Sequence, residues 1–390
     1  MNMDETLRND ENIDEEIDAD IKEEENSDLT AEEKNKIAEL SKRGYKLLKE
    51  NLIEDAVYCF EQILEFDPEN NYALVGLGDA TRKENKYYEA IQYYQQCLEF
   101  HPGNNYALFG LADCYKGINQ YQKAIGIWEK YLNYDSSNIT VLTRVADAYR
   151  KVRNFQKSKE VYFRVLDMEP DNAYALIGLG HLHYDFKQYR DALYYWEKML
   201  EVHDGHVDIR VYTSLGNCHR KMKTYEKGLA YFKKALEMSP NNFYALFGMA
   251  DCYRGMNMQS KSLEYWNKIL EQDPNNKVIL TRAGDAYRNM EDYEQAEIYY
   301  KKALNIEFDL YAILGLALIN KQKGNYEDAI QSLEGLLKND PKNHRLYLEI
   351  ADCYLKLNKK VQAAETLREY QKHGMRNNHI EDMLRKIQNG

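Results

Sequence analysis

All three tryptophans of this chain, Trp128, Trp196 and Trp266, stand at one register of a repeating unit, and all six prolines stand at another. Units beginning at Ile37, Asn71, Asn105, Ile139, Ala173, Ile209, Phe243, Lys277, Leu310 and His344 follow one another every 34 residues, with one interval of 36 and one of 33. Position 8 is Gly or Ala in every unit, from Gly44 to Ala351, and position 20 is always Ala, Ser or Gly. Position 24 is always large, as in Phe60, Tyr94, Trp128 and Tyr300, and proline occurs only at position 32. Residue size held at fixed positions over ten periods describes a stack of one small unit, which buries its apolar face only against its neighbours.

Within a unit the spacing reads as two helices. Positions 4, 7, 8 and 11 share a face of the first, as in Leu108, Leu111, Ala112 and Tyr115. Positions 20, 24, 27 and 28 share a face of the second, as in Ala124, Trp128, Tyr131 and Leu132. Small residues at 8 and 20 let the two backbones approach, while the position-24 ring fills the space beside them. Breakers such as Gly324-Asn325 turn the chain, and proline at 32 closes the second helix. The expected fold class is all-α, an α-solenoid.

This pattern resembles the tetratricopeptide repeat (TPR) family over ten units, residues 37–376. The resemblance rests on the small residue at 8, the small residue and ring at 20 and 24, and Pro68, Pro102, Pro170, Pro240, Pro274 and Pro341. It implies antiparallel helix pairs wound into a right-handed superhelix, whose first helices line a concave groove for segments of other proteins. Ser136, Asp204 and Phe308 stand where the family has proline, and the insertion in His203-Asp204-Gly205-His206 is expected to alter the pitch. Thr213, Asn217, Gly248, Val278 and Arg282 match only two of the five residues of a family carboxylate clamp, so the C-terminal tails of chaperones are not the expected ligand.

A longer period overlies the first. Tyr106–Gly117 (YALFGLADCYKG) returns as Tyr244–Gly255 (YALFGMADCYRG), and Leu142–Phe155 returns as Leu280–Tyr293 with the same LTR opening. A four-unit block over 71–208 is therefore read as duplicated at 209–343, presenting two similar surfaces in series to one long ligand or two related ones. A polar helix within 377–390 is expected to cover the last unit.

Charge separates an arm from a body. Residues 1–36 hold 15 acids and 4 bases, a net of −11, whereas the other 354 hold 49 acids and 48 bases, a net of −1. Residues 1–34 read as an acidic, disordered arm, and a competitor for basic groups of the array. A near-neutral body argues against nucleic acid as a partner. No apolar run is long enough to cross a bilayer and no leader pattern opens the chain, so the expected location is cytoplasmic. The six cysteines form no CxxC pair, and the histidines of HLH (His181, His183) point to different sides of a helix; no metal and no cofactor are expected. Without a phosphate loop, a nucleophile elbow or a zinc-protease motif, the chain is not expected to be an enzyme.

Candidate partner-binding residues lie at positions 2, 5, 6, 9 and 12 of the first helices, away from the core stripe. Position 2 is Tyr in five units, Tyr72, Tyr106, Tyr174, Tyr244 and Tyr311, of which the first four are candidate contacts; position 5 supplies Phe109 and Phe247. Position 9 supplies Asp79, Asp113, Asp147, Asn217, Asp251 and Asp285. Position 12 supplies Arg82, Lys116, Arg150, Arg220, Arg254 and Arg288, and position 6 supplies Arg144 and Arg282 among a row of glycines. A glycine in a helix interior costs up to about 1 kcal/mol relative to alanine, so the row implies a close approach by a ligand or by the preceding unit. Aromatic, acidic and basic rows together suit an extended or helical peptide. The expected function is a non-enzymatic adaptor or scaffold binding such segments. The alternative is a structural part of a larger bacterial assembly, such as a secretion or motility apparatus, packed through its sides or convex surface.

Overall fold

The computed structural model describes residues 29–203 and 208–389. The chain divides into two compact units, 1–206 and 207–390, close to the boundary of the duplicated block. Unit 1 holds five helix pairs: α1 (Ala31–Lys49) with α2 (Ile53–Phe66), α3 (Asn71–Lys83) with α4 (Tyr87–Phe100), α5 (Asn105–Gly117) with α6 (Tyr121–Tyr134), α7 (Ile139–Lys151) with α8 (Phe155–Met168), and α9 (Ala173–Asp185) with α10 (Tyr189–Val202). Unit 2 repeats the plan: α11 (Ile209–Lys221) with α12 (Tyr225–Met238), α13 (Phe243–Gly255) with α14 (Gln259–Gln272), α15 (Lys277–Asn289) with α16 (Tyr293–Ile306), α17 (Leu310–Gln322) with α18 (Tyr326–Leu337), and α19 (His344–Lys356) with α20 (Lys360–Lys372), closed by α21 (Asn378–Asn389). Within each unit every first helix packs on its own second helix, which packs in turn on the next first helix. Both units are all-α solenoids.

Asparagine or aspartate sets where the first helices begin. The last residue of each unit caps the next first helix, as when Asn70 Oδ1 accepts the Ala73 N–H at 3.1 Å and Asn104 Oδ1 accepts the Ala107 N–H at 2.9 Å. Nine of the ten first helices are capped this way, and α1 uses a Thr30–Glu33 capping box instead. That box starts α1 at Ala31, so the expected arm boundary at residue 34 moves back: residues 31–34 are helical. Residues 1–28 of the expected arm, and Asp204–His206 of the expected change of pitch, lie outside the described residues.

Between the two helices of a unit, position 15 adopts a left-handed conformation in all ten units, from Asn51 (φ 61°) to Asn358 (φ 59°). Only Gly324 meets this demand with glycine; Arg153, Lys187, Lys223 and Glu291 also accept it. The N–H groups around it return to the first helix, as in Asn85 N–H to Arg82 C=O at 2.9 Å and Lys86 N–H to Thr81 C=O at 3.0 Å. Carbonyls left open at the helix end are thereby satisfied.

Alternating helices bury the expected stripes. Ala56, Ala90, Ala124 and Ala192 at position 20 are fully buried, as are Phe60, Tyr94, Trp128 and Trp266 at position 24. The position-10 cysteines Cys114, Cys218, Cys252 and Cys353 are buried too; burial pushes the first three thiols up to about 12, which keeps them protonated and inert at neutral pH. At the C-terminal end α21 lays Ile380 and Leu384 against Tyr347, Ala363 and Tyr370 of the last pair.

Candidate protein-interaction face

Built from the residues upward, the first-helix face consists of junctions between successive units. The position-24 ring of one unit lies between its own position 8 and position 6 of the next. A Cβ added at Gly78 would sit 2.6 Å from Tyr94, and one at Gly110 would sit 2.3 Å from the same ring. Gly76, Gly178, Gly248 and Gly315 meet Phe60, Tyr162, Phe232 and Tyr300 in the same way. The position-6 glycines are thus buried under the preceding unit's ring, so of the two expected causes of a close approach it is the preceding unit and not a ligand.

A tyrosine at position 24 carries its hydroxyl to the polar rows. Tyr94 donates to Asp79 at 2.7 Å and Arg82 Nε donates to Tyr94 at 3.3 Å; Tyr300 repeats this with Asp285 (2.7 Å) and Arg288 (3.3 Å). Burial, with the adjacent aspartate, raises the Tyr94, Tyr162 and Tyr300 hydroxyls well above their usual range, so they remain donors. Arg150 completes the third set, bonding Asp147 at 2.6 Å and also Asp185 of the next unit.

At two of the three tryptophan rings, Trp128 and Trp266, an arginine replaces the glycine; after Trp196 the position holds Ser214. Arg144 Nη1 meets Asp113 at 2.6 Å, with its guanidinium 4.8 Å from the Phe109 centroid. Arg282 meets Asp251 at 3.2 Å and lies 5.0 Å from Phe247 and 5.7 Å from Trp266. Asp251 is also bonded by Arg220 (2.6 Å) and Arg254 (2.8 Å), so three arginines converge on it. Burial alone would raise its pKa, yet the surrounding arginines outweigh burial and hold it below the usual carboxylate range.

These junctions withdraw several residues expected on the open face. Tyr72, Asp113, Arg144 and Asp251 are buried; Arg144 and Arg282 of the following units close over Asp113 and Asp251. Asp79, Arg82, Arg150, Arg220 and Arg288 keep partial exposure, and their charges face one another; Arg220 also bonds Asn217 at 3.2 Å. Tyr106, Phe109 and Phe247 are half-buried, as are Asp147 and Asp285, whose side chains are 44% and 42% exposed. Lys116 and Arg254 remain the more open bases, at 43% and 44%. Tyr174 and Tyr244 are exposed, at 43% and 68%.

The residues missed by the candidate set continue the position-2 row of unit 2. Val278 is 52% exposed and Tyr311 is 74% exposed, in register with Tyr244. Their shared position was the available signal: Tyr311 stood in the tyrosine row, and Val278 is the apolar member between two tyrosines.

Five models, each describing the tetratricopeptide repeat, match residues 144–203, 209–242, 244–276, 279–310 and 321–387. The chain belongs to the tetratricopeptide repeat family. Its residues 49–131 also match a model described as anaphase-promoting complex, cyclosome, subunit 3. No curated protein matches the chain. Among solved structures, YrrB, described as a TPR protein with an unusual peptide-binding site, is 22% identical, with a TM-score of 0.42 over 48% of this chain and 95% of its own. PilW, described as a type IV pilus biogenesis factor, is 18% identical, with a TM-score of 0.47 over 51% and 91%. A TPR protein from Parabacteroides merdae is 18% identical, with a TM-score of 0.45 over 70% and 94%. As a TPR array, the chain is a protein-interaction scaffold, and among its described residues no helix is long and apolar enough to cross a membrane.

Proposed function

We propose that the array captures peptide segments of partner proteins on its first helices, with Tyr244, Val278 and Tyr311 of unit 2 as the principal contacts. One observation carries this reading: three large apolar side chains, each more than half exposed, recur at one register of three successive units. Isolated exposed apolar residues are ordinary, whereas an aligned row offers pockets spaced for alternate side chains of a bound segment. The partly exposed Arg282, one helical turn after Val278, favours a ligand with a carboxylate beside its apolar anchors.

Tyr244→Ala with Tyr311→Ala tests the reading against an array of peptides. Loss of two aromatic anchors is expected to weaken capture by about 10- to 100-fold, with the helical circular dichroism unchanged. Capture that is unaltered by the pair overturns the proposal and favours contacts through the second helices, the side-packing expected of an assembly component.

A further inference from the structure

The tenth helix pair ends in a groove that the tyrosine row does not use. At positions 5 and 12, α19 presents Leu348 and Leu355, and α21 presents Met383 and Ile387 opposite them. All four are half-buried, and Lys360, His379, Asp382 and Lys386 complete a groove of about 510 Å³. The helix α21 is already anchored by a separate pair, Ile380 and Leu384. Its second apolar pair, Met383 and Ile387, is again four residues apart and faces the leucines of α19.

The sequence contains a segment of matching chemistry. Residues 10–25, DENIDEEIDADIKEEE, hold ten acids and one base. Ile13, Ile17 and Ile21 are four apart, the spacing that aligns side chains on one face of a helix. We propose that this segment of one molecule docks in the α19–α21 groove of a second molecule. The isoleucines cover Leu348, Leu355, Met383 and Ile387, and the flanking carboxylates approach Lys360 and Lys386, where Asp382 is the single opposing acid of the lining. The segment precedes the first helix pair and the groove closes the last, so each molecule carries one half of the contact near either terminus. Such a contact is heterologous and joins molecules head to tail. It is independent of the Tyr244 row, and Tyr311→Ala leaves it intact.

Sedimentation velocity of the full chain tests the proposal. The weight-average mass is expected to rise with protein concentration, and less steeply as salt screens the carboxylate–lysine attraction. Ile13→Asp/Ile17→Asp/Ile21→Asp, and separately Lys360→Glu/Lys386→Glu, are each expected to return the monomer mass. The lysine variant changes exposed residues, so it keeps the fold even if apolar groove substitutions do not. Mixing the two variants restores dimers and nothing larger, because each retains a different half of the contact. A labelled peptide of residues 8–28 is expected to bind the isoleucine variant about tenfold more tightly than the same peptide with all three isoleucines changed to aspartate. A wild-type mass independent of concentration, association that survives either set of substitutions, or equal binding of the two peptides overturns the proposal.

Discussion

At the residue scale, neighbouring glycines have opposite meanings. A Cβ at Gly110 would collide with the fully buried Tyr94 ring at 2.3 Å, whereas one at Gly126 meets nothing within 4 Å. Gly110→Ala is expected to destabilise unit 1 by about 1–2 kcal/mol, overpacking outweighing the gain in helix propensity. Gly126→Ala, on an exposed helix face, is expected to stabilise by about 0.5–1 kcal/mol. Urea unfolding of both variants checks the pair, and a Gly110→Ala chain as stable as Gly126→Ala removes the ring-stacking account. Charge behaves in a similarly local way. Asp251→Asn leaves three arginines facing a neutral group, an expected loss of about 2 kcal/mol, held below the range for a wholly buried pair because those arginines stay partly exposed. Since the folded carboxyl titrates below its ordinary value of 3.8, the advantage of wild type over Asp251→Asn is fully present above that pH and disappears as pH falls through the lower folded value. Denaturant midpoints of both chains at pH 7 and on acidification measure it.

Single residues give way to a pairing rule at the scale of elements. Tyr94, Tyr162 and Tyr300 are followed in the next unit by Gly110, Gly178 and Gly315, while Trp128 and Trp266 are followed by Arg144 and Arg282, and Trp196 by Ser214. A six-membered ring fits under bare backbone and sends its hydroxyl to Asp79 or Asp285, whereas the indole has no hydroxyl and its aspartate is bonded by the arginine instead. A double-mutant cycle of Trp266→Tyr and Arg282→Gly is therefore expected to show the double change milder than the sum of the singles, by about 0.5–3 kcal/mol. Strict additivity in chemical denaturation contradicts the rule. The rule was open to reading in the sequence, because every position-24 tyrosine accompanies Asp at 9 and Arg at 12 of its own unit. A row read along one helix does not contain it, because the partner of position 6 lies in the previous unit.

At the scale of the whole molecule, stability in a repeat array is carried by neighbouring contacts. Removing residues 378–390 uncovers Tyr347 and Tyr370, so amide exchange in α19 and α20 is expected to accelerate while α1–α10 keep their protection. Hydrogen exchange with peptide resolution reads this directly, and a loss spread evenly over both units contradicts it. The helix pairs were legible in the chain because their periodicity survives ten repetitions. Exposure was less legible: Tyr72 and Tyr244 share a register, yet one is buried and the other is 68% exposed.

By itself, the sequence determined the units, the two helices in each and the small-and-large matching that packs them, since these depend on spacing within about 34 residues. Only the tertiary structure decided which polar rows face outward. The buried charges of Asp113, Arg144 and Asp251 find partners about 31 residues away, across a junction that no single helix contains. A helical period tells which side chains share a face; what covers that face is settled by the next element to pack on it.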